Sequence, residues 1–394
     1  MFTRKALSAA ASVLFLAQAA WGADISNANN GMGMDLLRHL DPGGTKNVFI
    51  SPFSISEALT LTANGARAGT ADAMKAALKL NKISLSDANA QYKKLGADFA
   101  GTGQLKIANG LFVDKAFALQ QPFVANAENN FNATVQSVDY AGHSAEPVIN
   151  NWVSQKTDGK IPAIVKNLDS STELVIVNAV YFKAPWVNQF HEGNTDIDIF
   201  HATVHDTIQI PMMQQQHDFN YAVSGKTQIL ELPYAQSPIV MNIILPAPDS
   251  SVEAVLKQMT VSWWQNILLS SFRHSLVNVT LPKFKIQYSS SLRKALSAMG
   301  MQSAFNGTTA NFKGIGADPA RPLFISDVIH KTYLDVNENG TEAAGATAVE
   351  MMRGVEIHLD KPVEFKVDRP FIVAIRDTTS GAILFMGVIR DPRK

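Results

Sequence analysis

His201 and His205 stand four residues apart, a spacing that on a helix would turn two imidazoles to one face and offer them to a metal ion. The surrounding FHATVHDTIQI alternates polar with apolar residues as a strand does, so the pair reads as surface polar residues, and no metal or other cofactor is expected. Other catalytic equipment is missing from the sequence: there is no G-x-S-x-G elbow, no H-E-x-x-H, no P-loop and no G-x-G-x-x-G. Trp263 and Trp264 could stack on a ligand ring, but packing is the commoner fate of tryptophan in such a segment. An enzyme is therefore disfavoured.

The stretch with an unusual composition is NENGTEAAGATAVEMMRG, Asn337 to Gly354. Its alanines favour helix, but Gly345, Thr347 and Val349 do not, and it carries no apolar stripe of helical period. With period 2, Thr341, Ala343, Gly345, Thr347, Val349 and Met351 share one face, while Glu342, Ala344, Ala346, Ala348, Glu350 and Met352 share the other. Both carboxylates then lie on one side, leaving a small uncharged face that a sheet could bury. No proline interrupts Gly340 to Gly354, so every backbone N–H there can join a ladder.

Residues 1–24, MFTRKALSAAASVLFLAQAAWGAD, place Arg4 and Lys5 before an apolar run and then small residues, the layout of a secretory signal peptide cleaved after Gly22. The expected division is a signal over 1–22 and one domain over 23–394, with export to the periplasm or the medium. The 394 residues contain no cysteine, so neither disulfides nor thiol chemistry can contribute. At 46% apolar content the chain can build a large core, and a formal net charge of zero without basic runs gives no support for a nucleic-acid or membrane partner.

Helical patterns come early. Ser54-Ile55-Ser56-Glu57 has the form of a capping box, with Ala58, Leu59 and Thr62 on one face behind it. Further helices are predicted from Thr70, over VINNWVSQKT with Ile149, Trp152 and Val153 inward, and over SSSLRKALSAMG closed by Gly300. Long apolar strands are predicted over 173–182, 238–246, 276–284, 370–377 and 383–389, and near-continuous apolar runs belong to strands covered on both faces. One large mixed domain follows.

The segments NVFISPFSISEALTLTANGARAGTADAM (47–74), VNAVYFKAPW (177–186), VTLPKFKI (279–286), IHKTYLDVNENGTEAAGATAV (329–349) and FKVDRPFIVAIRDTTSGAILFMGVIRDP (365–392) together resemble a serpin, a secreted bacterial member of that family. The resemblance runs from about residue 30 to the end. It implies an α+β fold of three β-sheets and eight or nine helices, with an exposed reactive-centre loop at about 338–362. It also implies that this loop, once cut, enters the main sheet as a strand, a recognised case of strand addition driven by stored strain. Gly340, Thr341, Glu342, Ala343, Ala344, Gly345 and Ala346 would then be the hinge. Ser51, Ser54, Asn178 and His330 match the family's shutter, a polar cluster beneath the sheet. Trp186, Lys283 and Glu338 match its breach, where the loop first enters, with a Lys283–Glu338 ion pair expected.

The family's commonest spacing puts Gly354 on the acyl side of the reactive bond, and a variant one residue shorter puts Arg353 there. Arg353 is favoured, because a guanidinium suits the carboxylate of a trypsin-like pocket and glycine offers a pocket nothing. Met351 and Met352 are the alternatives for elastase- or subtilisin-like enzymes. The resemblance implies a monomer that forms covalent acyl complexes with serine proteases, with cysteine proteases as a further class. A non-inhibitory carrier or chaperone is the second reading, and a secreted hydrolase the third.

Overall fold

The computed structural model describes residues 25–41, 43–203, 206–341 and 361–394. Among them are nine α-helices and three hydrogen-bonded sheets of nine, seven and two strands. The apolar strand runs are where the sequence put them: Leu174–Phe182, Ile239–Pro246, Phe371–Asp377 and Ile383–Ile389 are buried along their whole length. Burial on both faces is what an unbroken apolar strand requires. The helices over Ala68–Ala77 and Ala145–Lys156 are also present, with Ile149 and Val153 buried. Trp264 is in the core and Trp263 packs partly against it.

The seven-stranded sheet carries the functional reading. Its order is Thr134–Val138, Leu105–Asp114, Leu174–Phe182, Asp327–Asn337, Gly340–Thr341 and Ala184–Pro185, with Phe284–Ser291 paired to the far side of Asp327–Asn337. Leu174–Phe182 and Asp327–Asn337 lie side by side in parallel, in register from Asp327 opposite Val175 to Tyr333 opposite Tyr181. Each is held on its other side by an antiparallel partner. A parallel ladder is slightly weaker per residue than an antiparallel one, and this central seam shares that pairing with the shorter ladder between Leu105–Asp114 and Thr134–Val138 at the sheet's edge.

Three local expectations are corrected. Ser54 and Glu57 form no capping box: the helix runs Pro52–Gly65, and its N-cap is Ser51, whose side chain accepts from the Ser54 N–H. Proline lacks an N–H and its fixed φ suits the first helical position, so the helix starts earlier and turns Glu57 inward. In SSSLRKALSAMG the serines belong to the Phe284–Ser291 strand, and the helix is only Arg293–Leu296, followed by a wider turn to Met301 with Gly300 at φ +103°. The segment around His201 is not one strand: Thr195–His201 ends there and pairs back on Thr207–Ser224, and His205 lies outside the described residues.

Candidate functional site

Two polar clusters sit along the central seam. The first lies beneath its middle. The Ser51 N–H donates to His330 Nε2 at 3.0 Å, so that nitrogen is unprotonated and Nδ1 carries the hydrogen it gives to Asn178 Oδ1. Asn178 in turn donates to Ser54 Oγ and Asn109 Oδ1. Asn109 passes the chain on, giving 2.7 Å to Glu57 Oε2. Ser51 Oγ donates to the Leu384 carbonyl at 2.6 Å, tying the cluster to the neighbouring sheet. Every donor and acceptor role here is fixed by the next, and all of these side chains are buried.

Burial governs the charge states. His330 is pushed down to about 3 by desolvation, so it is neutral across the physiological range. Glu57 is pushed up to about 8, also by desolvation, against the smaller opposing effect of its bond to Asn109.

The second cluster closes one end of the seam. Beyond Tyr333 the strand changes neighbours, and Val336 and Asn337 pair antiparallel with Thr341 and Gly340. That two-residue strand pairs on its other edge with Ala184 and Pro185. Gly340 has φ +149°, and a Cβ there would lie 2.2 Å from the Ala184 carbonyl oxygen, so only glycine fits. Thr341 is fully buried, its Oγ1 2.6 Å from the Tyr234 hydroxyl. Tyr234 stacks on Trp186 with ring centroids 4.4 Å apart, and Trp186 Nε1 donates to the Asn337 carbonyl at 3.0 Å. Lys283 Nζ donates to Glu338 Oε2 at 2.8 Å, while Thr195 Oγ1 donates to Oε1 at 2.9 Å. Burial raises the Glu338 carboxyl most among single causes, but the bonds from Lys283, its own backbone N–H and Thr195 together hold it below its ordinary value.

Ser51, Ser54, Asn178 and His330 are thus brought into one network, and Trp186, Lys283, Glu338, Gly340 and Thr341 into another. Glu342, Ala343, Ala344, Gly345, Ala346, Met351, Met352, Arg353 and Gly354 lie outside the described residues. Four participants were not singled out in the sequence: Asn109, Glu57, Thr195 and Tyr234. Asn109 left a signal as the one polar side chain in the apolar stretch IANGLFV. Glu57 was masked by its resemblance to a capping residue. Among the described residues no three His, Asp or Glu side chains converge as a metal site.

The family model for Serpin (serine protease inhibitor) matches residues 27–392. The chain is a serpin. Serpins are protease inhibitors and typically not enzymes. This serpin is 38% identical over 378 residues to an uncharacterized serpin-like protein of Thermococcus kodakarensis, covering 94% of this chain and 86% of that one. It is 37% identical over 390 residues to the horse (Equus caballus) leukocyte elastase inhibitor, covering 93% and 99%. Its fold superposes on the crystal structure of the mouse protein-Z dependent protease inhibitor with a TM-score of 0.86 at 27% identity, over 95% of this serpin and 99% of that chain.

Proposed function

We propose that this serpin is an exported suicide inhibitor of serine proteases, trypsin-like enzymes first. A target protease takes the loop for substrate and forms its ordinary acyl-enzyme at the bond after Arg353. The freed segment beyond Gly340 then zips down the central seam, parting Leu174–Phe182 from Asp327–Asn337. At a net ~0.5–1.5 kcal/mol per hydrogen bond, a dozen new bonds yield about 6–18 kcal/mol. The ~5–15 kcal/mol that keeps a protease domain folded is comparable, so insertion can distort the attached enzyme before water releases it.

The observation that carries this reading is the Gly340–Thr341 strand, already paired on both edges at the mouth of a closed parallel seam. It is the first rung of the strand that insertion would complete. On this reading the Asn178–His330 network is the shutter, which holds the seam closed until insertion parts it. Trp186, Lys283 and Glu338 form the breach that positions the loop's root. Residues 1–22 act as the export signal and are removed.

The deciding experiment incubates the purified protein with trypsin, pancreatic elastase and subtilisin and runs denaturing gels without boiling away ester bonds. A band at the summed mass of inhibitor and protease, with loss of protease activity, is expected for trypsin. Clean cleavage of the loop with full protease activity throughout the panel refutes inhibition and leaves the carrier or chaperone reading.

A further inference from the structure

The seam has a further closure at the end remote from Gly340–Thr341. Arg321 lies on the chain that leads into Asp327–Asn337, and its guanidinium reaches across the seam: Nη1 is 3.2 Å from Glu173 Oε1 and Nη2 3.3 Å from Asp114 Oδ1. Glu173 immediately precedes Leu174–Phe182, and Asp114 ends Leu105–Asp114, so both carboxylates belong to the strands on the other side. The guanidinium also stands 5.0 Å from the centre of the Phe117 ring, three residues past Asp114. Asp318, on the same segment as Arg321, lies 3.5 Å from Nε and steadies the fork. Three more bonds run beside it: Ser326 N–H donates to the Leu174 carbonyl at 2.8 Å, Glu173 N–H to Ser326 Oγ at 2.9 Å, and Phe324 N–H to Glu173 Oε2 at 3.2 Å.

An ion pair in open water would contribute little here. Glu173 and Asp114 are only 5% and 7% exposed, however, and carboxylates that close to dryness depend on a counter-charge. Burial raises the Glu173 carboxyl, and the Phe324 N–H and the Arg321 charge oppose that rise. The Arg321 side chain is itself 42% exposed, so it can turn into water once the carboxylates are drawn away. Neighbouring strands lie about 4.8 Å apart. A strand added between Leu174–Phe182 and Asp327–Asn337 doubles that spacing and takes every one of these contacts out of reach.

We propose that Arg321 is the terminal latch of the seam, a positioning residue that holds its remote end shut in the uncut protein and must release Glu173 and Asp114 before an inserted strand can be completed. The inference rests on insertion as proposed above. A strand that keeps the Thr341–Val336 register would set Glu350 opposite Asp327 and Met351 opposite Ser326, where those bonds stand. A cut after Arg353 therefore supplies enough chain to reach the latch and displace it, whereas a strand that stops short leaves it closed.

The test compares unfolding midpoints in guanidinium chloride for the uncut protein and for the loop-cut form purified from a limited subtilisin digest. Arg321→Ala should lower the midpoint of the uncut protein and leave that of the cut form unchanged, because insertion has already broken the contacts that the substitution removes. Arg321→Lys, which keeps the charge but not the fork, should fall between. With trypsin in excess, the limiting rate of complex formation should rise severalfold in Arg321→Ala. Should that variant fail to fold, Arg321→Lys decides by the same comparisons. Equal lowering of both forms, an unchanged midpoint of the uncut protein, or an unchanged limiting rate overturns the proposal and leaves Arg321 an ordinary structural residue. A cut form of the unaltered protein that resists denaturant no better than the uncut one refutes insertion itself, and the latch with it, before any variant is compared.

Discussion

His330 and Asn178 face each other twice: they are register partners across the parallel seam, and their side chains are hydrogen-bonded beneath it. The seam cannot part without separating them. Backbone ladder and buried side-chain network would therefore open in a single event, and on the proposed reading the polar cluster controls strand separation.

Replacing Asn178 with Ala should show this. The change removes the acceptor for His330 Nδ1 and the donor to Ser54 and Asn109, and each buried group left unpaired costs about 1–3 kcal/mol. Thermal unfolding should begin several degrees lower. Mild warming should give ladders on native gels, because an opened seam presents unpaired strand edges to the loop of another copy. Unchanged melting with no oligomers would show that the network does not control the seam.

Stability should respond to pH in two opposite ways. His330 is near 3 in the folded protein and ordinarily near 6.5, so the unfolded state gains a proton first and stability falls as pH drops from about 6.5 toward 3. Full loss would be roughly 5 kcal/mol. Glu57 is raised from 4.5 to about 8, so its contribution is complete below pH 4.5 and is lost as pH rises through 8. Melting temperatures from pH 4 to 9 should therefore decline at both ends, and Glu57→Gln should flatten the alkaline decline alone. An alkaline slope that survives Glu57→Gln would assign it to other groups.

Thr341→Arg should convert inhibitor to substrate. Thr341 is fully buried between Val336 and Ala184 with its hydroxyl on Tyr234, and an unpaired guanidinium there is costly. Titrating trypsin with the variant should leave cleaved serpin and active enzyme. Undiminished complex formation would contradict insertion through this entry.

On the proposed reading, Arg353→Ala should slow trypsin inhibition by orders of magnitude without altering thermal stability, since a side chain offered to a protease pocket contributes little to folding. Mass spectrometry of the fragment released from the native protein locates the bond. Gly354 as its new N-terminus supports the assignment; Val355 or a later residue refutes it. An elastase fragment beginning at Met352 or Arg353 would show that one loop offers several bonds.

Much of the fold was determined by the sequence alone, because it depends on local pattern. The near-continuous apolar runs at 174–182, 371–377 and 383–389 read as strands covered on both faces, and they are. Ser51, Ser54, Asn178 and His330 were found through family motifs, not through any spacing of their own. What only the tertiary structure decided is which buried polar atoms meet. Asn109 and Glu57 lie 52 residues apart and Tyr234 and Thr341 107 apart, and no local period records such a pairing. Glu57 makes the point most sharply: its sequence context fits a helix cap, yet Pro52 starts the helix three residues before the apparent cap at Ser54 would allow and turns the carboxyl into the core. There it became a neutral acid, a property set by desolvation and so by the packing of distant elements.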